Sequence, residues 1–407
     1  MLQTIPRQRL LNEVAGCLRT SPATVLLGAR QVGKSSLAHM IAAGRKDVRI
    51  FDLERRAGRE ALLQTPELTL ADCSGLVVID EIQRLPFLFE VLRPLCDSPV
   101  RRAIYLLLGS ASPDLVRGVS ETLAGRALFV RVPGFALDEV GPENQDRLWL
   151  QGGFPRAFLA GSPDDAWRWL ESFVQTFLER DIPQLGIRIP SETLRRFWVM
   201  MAHYHGQVWN AAELARSLSV SPATANHYRD ILAGTFVIRV LPPWFENLGK
   251  RQIKSPKVYL RDSGLLHWLL GIDSMEMLRS HPRYGASWEG YALEQVLALT
   301  GERDSYSWRT QRGAELDLLL MRRGRRWGFE FKCTDAPAIT KSMHIALKDL
   351  GLERMWVVYP GEDRYPMHER IEALPLREVH RVCAEALSKG SRTDKKKRRV
   401  AIHGHQQ

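Results

Sequence analysis

Three continuous apolar runs, Thr24 to Leu27, Leu76 to Ile79 and Ala103 to Leu108, stand in the first third of the chain. Runs of this kind read as parallel strands buried on both faces. Joined by shorter stretches near 48–53 and 128–132, with helix-length segments between them, they predict a doubly wound α/β sheet. Such a sheet holds its ligand at the carboxyl ends of its strands.

The periodicity then changes. The tryptophan-rich segment from about Asp164 to Arg180 predicts a helix, entered through the sharp turn Gln151 to Ala157. Ala212, Leu214, Ala215 and Leu218 share one face of a helix over Ala211 to Leu218, and Ser221-Pro222 signals the start of another that runs to about Leu232. Phe236 to Val240, stopped by Pro242-Pro243, resembles the strand of a winged helix-turn-helix. Trp288 to Leu299 reads as an amphipathic helix carrying Glu289 and Glu294. Ala314 to Met321, the turn Arg322 to Arg325 and Trp327 to Cys333 read as a hairpin.

With 407 residues the chain has room for two or three domains. The boundaries expected are 1–140 for the sheet core, 141–190 for a helical lid, 191–250 for the winged helix, 251–380 for a linker and second α/β domain, and 381–407 for a basic tail. Five scattered cysteines without C-x-x-C spacing argue against a zinc site or disulfide frame. No run approaches the roughly 20 apolar residues that span a bilayer, and Met1 to Leu11 has no apolar signal core, so a cytoplasmic protein without membrane contact is expected. The formal charge is +11, and Lys389 to Arg399 holds seven basic residues and one Asp. That tail reads as disordered and as a non-specific contributor to nucleic-acid affinity, or, more plainly, as a solubilising tail.

Gly28-Ala29-Arg30-Gln31-Val32-Gly33-Lys34-Ser35-Ser36 fits the phosphate-cradling pattern G-x-x-x-x-G-K-[ST] and follows the first apolar run. Its backbone N–H groups turn toward phosphate, Lys34 reaches the outer phosphates, and Ser35 ligates magnesium. Asp80 and Glu81 end the second run; Asp80 then holds the magnesium and Glu81 orients and deprotonates water. The plainer alternative is an Asp-Glu pair capping the next helix. Ser110, after the third run, is placed to sense the γ-phosphate of ATP. Arg117, Arg126 and Arg156 are candidates for phosphate contact, in cis or from a neighbouring subunit. Thr224, Asn226, His227 and Arg229 suit phosphate and base contact on the second helix of the winged unit. His203 and His205 lack a third ligand and read as structural.

If the hairpin is symmetric about Arg323-Gly324, Asp317 lies opposite Glu330 and Glu315 opposite Lys332, with all four on one face and Leu316, Leu318, Phe329 and Phe331 on the other. Facing carboxylates call for a cation between them. Magnesium on Asp317, Glu330 and a helical glutamate, with Lys332 orienting water, is the constellation of metal-assisted phosphodiester hydrolysis. A solvated face with a Glu315 to Lys332 salt bridge is the alternative.

Glu289, Asp317 and Glu330-x-Lys332 resemble the PD-(D/E)XK motif of restriction-endonuclease-like nucleases, including resolvases of branched DNA. From about residue 5 to 375 the chain also resembles a widespread bacterial and archaeal family of AAA-type ATPases with a C-terminal domain of unknown function. The matching segments are Gly28 to Ser35, Asp80 to Gln83, Gly109-Ser110, Leu123 to Arg126, Gly152-Gly-Phe-Pro155, Arg180-Asp181-Ile182, Lys257 to Asp262, Glu289 and Asp317 to Lys332. Ser110 departs from the Asn found in many AAA-type ATPases. The resemblance selects Glu289 over Glu294 and implies an oligomer; Pro155 and Arg156 are counted with the nucleotide-binding candidates. It implies an α/β chain: a P-loop NTPase sheet with a helical lid, a winged helix-turn-helix and a nuclease-like α/β domain. The leading expectation is a DNA-dependent ATPase using ATP and Mg2+ on DNA, branched DNA included. The alternatives are a nucleotide-gated switch that binds a protein partner and an ATP-gated nuclease.

Overall fold

The computed structural model describes residues 5–110, 118–119, 121–187, 189–246 and 252–388. Arg117, the side chain of Ser110 and the basic tail from Lys389 lie outside what is described. The chain divides into two compact units, one comprising Met1–Ala202, Ala211–Arg239 and Leu260–Ser274, the other His203–Asn210, Val240–Tyr259 and Met275–Gln407.

In the first unit β1 (Ala23–Gly28), β2 (Val48–Asp52), β3 (Gly75–Asp80), β4 (Ala103–Ser110) and β5 (Ala127–Arg131) form a sheet ordered β2-β3-β4-β1-β5. Every pairing is parallel, as the apolar runs predict. All six residues of β1 are buried, which explains why this strand carries no polar alternation. Val25, Leu27, Val77, Ile79, Tyr105 and Leu107 belong to one core cluster on the sheet. Because all strands run the same way, Gly28, Asp80 and Ser110 finish at one edge, and Gly28 pairs with Ser110.

The tryptophan-rich helix spans Pro163–Thr176, capped by Ser162 accepting from the Asp165 N–H, and widens into a π-helical turn over Phe177–Asp181. Ser221 caps the helix Pro222–Gly234 by accepting from the Thr224 N–H at 3.0 Å, in line with the Ser-Pro start signal. On the preceding helix, Ala211–Leu218, Leu214, Ala215 and Leu218 are buried whereas Ala212 is exposed, so the apolar stripe is narrower than expected. The strand that follows, β7 (Ile238–Leu241), begins later than expected because the chain first turns through Phe236 at φ +59°.

In the second unit β6 (Gln207–Val208) pairs antiparallel with β8 (Lys257–Leu260) along Gln207, Val208, Lys257 and Val258. A six-stranded mixed sheet is ordered β13-β14-β12-β11-β10-β9, from β9 (Ser305–Arg309), β10 (Glu315–Arg322), β11 (Arg325–Phe331), β12 (Arg354–Tyr359), β13 (Tyr365–His368) and β14 (Ile371–Pro375). The helix Tyr284–Thr300 is tied to this sheet where the Trp288 indole donates to the Val358 carbonyl at 3.4 Å.

The β10–β11 ladder runs from Leu318↔Phe329 to Arg322↔Arg325 about the turn Arg323-Gly324, the symmetry the sequence predicts. Both turn residues have positive φ, which matches the right-handed twist of the strands. The faces differ from strict alternation. A bulge against β9 between Leu316 and Leu319 puts these two residues, three apart, into the same core cluster, where period two pairs Leu316 with Leu318. Glu315 is thereby turned toward Arg309, 3.7 Å away, and Lys332 pairs with Glu330, so the salt bridge of the alternative reading, Glu315 to Lys332, does not form.

Candidate functional site

The loop 28–33 joins the buried end of β1 to the helix Lys34–Ala43 at the carboxyl edge of the sheet. Gly33 sits at φ +91°, a conformation that glycine adopts without strain, and Pro155 Cγ lies 3.7 Å from where a β-carbon would stand. Ala29 and Val32 are buried, whereas Gln31, at φ +64°, and Ser35 and Ser36 are exposed. Lys34 is buried, and its Nζ donates to the Gly28 carbonyl at 3.0 Å and the Ala29 carbonyl at 2.9 Å. Burial lowers its pKa to about 8 against the pull of Glu81 and Asp80.

Asp80 ends β3 and accepts from the Ser35 hydroxyl and from the Glu81 N–H, the latter at 2.9 Å. Burial raises its pKa despite these bonds. Glu81 itself adopts a left-handed φ of +56° and receives a hydrogen bond from the Gln83 amide. Lys34, Ser35, Asp80 and Glu81 are therefore gathered as the two motifs predict. A hydroxyl and a carboxylate facing each other are hard oxygen donors of the kind magnesium takes, so this pair fits that ion.

Two supports carry no motif signal of their own. Arg7 is 3% exposed and donates to the carbonyls of Val32, Pro133 and Gly134 at 3.2, 3.0 and 2.8 Å while pairing with Glu139 at 2.9 Å. It anchors the phosphate loop from beneath. Arg30 turns its guanidinium out of the loop, donating to Asp181 at 2.5 Å and Glu54 at 2.9 Å. Glu81, Gln83, Arg84, Phe177 and Asp181 line a cavity of about 380 Å³ with Arg30.

Other expected nucleotide contacts are dispersed. The Arg126 carbonyl accepts from the Ala23 N–H at 3.1 Å, at the amino end of β1. That is one strand length, roughly 16 Å, from the loop. Arg126 is also held by both oxygens of Asp97, at 2.6 and 2.7 Å. Parallel pairing thus removes it from the phosphate site of its own chain. Arg156 is exposed. Gly152, at φ +78°, would drive a β-carbon to within 2.2 Å of Asp262 Oδ1, and the Gly153 N–H donates to Asp262 Oδ2 at 2.7 Å. Asp262 also caps the helix Ser263–Leu270 through the Leu265 N–H at 2.8 Å. Burial pushes its pKa up to about 6 even though four backbone N–H groups favour its charge. Asp262 gives the Gly-Gly-Phe-Pro turn its partner.

In the second unit Glu289, Asp317, Glu330 and Lys332 are held in ion pairs, with an addition. Lys257 Nζ donates to Glu289 Oε1 at 2.8 Å and to Asp317 Oδ1 at 2.9 Å. The Tyr259 hydroxyl reaches the same Glu289 oxygen at 2.6 Å. Asp317 Oδ2 takes the Phe331 N–H at 3.1 Å, and Lys332 Nζ lies 2.9 Å from Glu330 Oε2. Five residues further along its helix, Glu294 is turned about 140° from Glu289. Burial works against the charge of Lys257, yet Asp317 and Glu289 hold its pKa well above the usual lysine value. Glu330 is pushed up to about 8, first by burial and then by Asp317.

The cation expected between Asp317 and Glu330 is replaced by a different arrangement, in which the Lys257 ammonium lies between Glu289 and Asp317 and Glu330 is paired with Lys332. Among the described residues no group of three His, Cys, Asp or Glu side chains is arranged to hold a metal. Glu289, Asp317 and Glu330 as placed therefore do not fit the expected magnesium. Lys257, sixty residues before Asp317, was the residue sequence reasoning missed. Its signal is the alternation Lys257-Val258-Tyr259, which aims a charge and a hydroxyl from one face of a short strand.

Residues 20–141 match the family model described as an AAA domain. Residues 142–276 and 284–379 match two domains of unknown function, DUF8612 and DUF4143. The uncharacterized protein Rv2008c of Mycobacterium tuberculosis and its counterpart Mb2031c of Mycobacterium bovis are each 48% identical over 375 residues, covering 92% of this chain and 85% of theirs. The Walker-type ATPase PABY2304 of Pyrococcus abyssi is 18% identical, over 66% of this chain and 96% of that one, with a TM-score of 0.48. Among the described residues no helix is long and apolar enough to cross a membrane.

Proposed function

Because the chain belongs to the family of mycobacterial Rv2008c and Mb2031c and carries an AAA-type P-loop ATPase domain, we propose that it is a DNA-dependent ATPase. It oligomerises on DNA and uses ATP turnover to move or remodel it, branched DNA included. The observation that carries the ATPase part is the convergence of Lys34, Ser35, Asp80 and Glu81 at the carboxyl edge of β1 and β3.

In this reading the N–H groups of the loop 28–36 receive the phosphates and Lys34 leaves the Gly28 and Ala29 carbonyls to hold their charge. Ser35 and Asp80 would hold Mg2+, which would supply charge neutralisation at the phosphates. Glu81 accepts a proton from the water whose oxygen bonds to the γ-phosphorus as the bond to ADP breaks. Ser110, at the end of β4 beside Gly28, senses the γ-phosphate, and Pro155 and Arg156 border the nucleotide. Arg126, remote from its own chain's loop, acts on a neighbour's phosphates in the oligomer.

The DNA part is supported by the net charge of +11, by the basic tail from Lys389, and by the paired helices Ala211–Leu218 and Pro222–Gly234 with His227 exposed on the second. A winged helix-turn-helix and a nuclease-like domain that grips DNA without cutting complete this reading. The test is fluorescence anisotropy of duplex, single-stranded and four-way-junction DNA with the protein held in ATP and in ADP. Nucleotide-dependent DNA affinity supports the proposal; no binding to any of the three at physiological salt refutes it. The second reading, a nucleotide-gated switch for a protein partner, is favoured by one proximity: Pro155 Cγ of the Gly-Gly-Phe-Pro turn lies 3.7 Å from where a β-carbon on Gly33 of the phosphate loop would stand.

A further inference from the structure

The second unit contains a constellation that resembles a metal-dependent nuclease centre, yet its acidic side chains already have partners. Glu289 Oε1 receives both the Lys257 ammonium at 2.8 Å and the Tyr259 hydroxyl at 2.6 Å, which occupies the two acceptor directions of that oxygen. Asp317 divides its oxygens between Lys257, at 2.9 Å, and the Phe331 N–H, at 3.1 Å. Glu330 Oε2 is paired with Lys332. What remains is Glu289 Oε2, since both bonds to that carboxylate fall on Oε1, and Glu330 Oε1, which is buried and without a hydrogen-bond partner among the described residues. A divalent ion drawn to these two oxygens would have to stand beside the Lys257 and Lys332 ammoniums, which already neutralise the same carboxylates and repel a second cation.

Lys257 is not a loose surface side chain that drifted into the cluster. It belongs to β8, its residue pairs with Val208 on β6, and its side chain is 8% exposed. Tyr259, two residues on and therefore on the same face of the strand, is braced by the His205 ring standing edge-on at 5.4 Å. Strand, tyrosine and histidine together fix the ammonium between the carboxylates of the helix Tyr284–Thr300 and of β10.

We propose that Lys257 is the resident cation of this centre, its ammonium standing where a nuclease of this general form has a divalent metal, so that the C-terminal unit binds no divalent ion at Glu289, Asp317 and Glu330. The inference is independent of the ATPase reading. Its consequence is that this unit does not cut DNA by metal-assisted hydrolysis. The buried ion cluster instead fixes the helix Tyr284–Thr300, β8 and β10 in one arrangement.

The experiment is a Mn2+ titration of the full, nucleotide-free chain, followed by the paramagnetic resonance of free Mn2+. Wild type and Asp317→Asn are expected to bind the same number of ions. Lys257→Met, which keeps the bulk but leaves two carboxylates facing without a cation, gains one Mn2+ per chain, and Lys257→Met with Asp317→Asn loses it again. A wild-type Mn2+ that disappears in Asp317→Asn overturns the proposal, as does a folded Lys257→Met that gains none. Should Asp317→Asn not fold, Glu330→Gln replaces it in the comparison with wild type.

Discussion

Arg30 Nη1 lies 2.5 Å from Asp181 Oδ1, an ion pair that ties the phosphate loop to the π-helical turn at the end of the tryptophan-rich helix. Both side chains are largely buried, at 15% and 9% exposure, so the pair is shielded from screening. Asp181→Asn leaves Arg30 with Glu54 alone and lets the loop shift by a fraction of an ångström. Turnover at saturating ATP is expected to fall roughly tenfold, because small misplacements of reacting groups are costly. Unchanged turnover would show that the tie is structural only.

Glu81→Gln and Lys34→Ala separate hydrolysis from binding. Glutamine keeps the shape of Glu81 but accepts no proton, so hydrolysis falls by about 10²- to 10⁴-fold while a fluorescent ATP analogue still binds. Lys34→Ala loses both. Measuring binding and turnover on the same preparations distinguishes the two; loss of binding in Glu81→Gln would assign Glu81 to the nucleotide pocket instead.

Arg7→Ala strands Glu139, whose side chain is 2% exposed, without its guanidinium and leaves the carbonyls of Val32, Pro133 and Gly134 short of a donor. Removing one member of a buried pair costs about 3–5 kcal/mol. The denaturant midpoint of the first unit should fall accordingly, and a midpoint within error of wild type would contradict the assignment.

Asp262 makes stability depend on pH in an unusual direction. Its carboxyl titrates at about 6 when folded against an ordinary 3.8, so between these values the folded chain binds more protons than the unfolded one. Its contribution to stability is greatest near pH 4, falls as pH rises toward 6, and is level above that. Asp262→Asn, which cannot ionise, lacks this decline. Thermal melts of the two proteins across the window should therefore converge or cross; parallel curves would refute the shifted carboxyl.

What was legible in the sequence follows from what is local. β1, β3 and β4 could be read because parallel strands buried on both faces leave unbroken apolar runs, and the Arg323-Gly324 turn because hairpin register propagates from the turn. The pairs that hold the sites could not be read. Arg7 reaches Glu139 across 132 positions, Gly153 reaches Asp262 across 109, and Lys257 reaches Asp317 across 60, separations at which only topology decides who meets. The Leu316 and Leu319 face failed for a different reason: one bulge reverses the alternation that period two assumes. Whether Arg126 serves its own loop or a neighbour's was open in the sequence, because its distance from the loop depends on strand direction, which the motif does not encode.

Whether DNA drives this ATPase is decided by Mg2+-dependent ATP hydrolysis with no DNA, duplex, single strand and four-way junction, using Lys34→Ala as the blank. Turnover is expected to rise several-fold with DNA, most with one of the three structures, and to be absent in the blank. Equal slow turnover under all four conditions would contradict a DNA-driven ATPase and leave the nucleotide-gated switch as the standing reading.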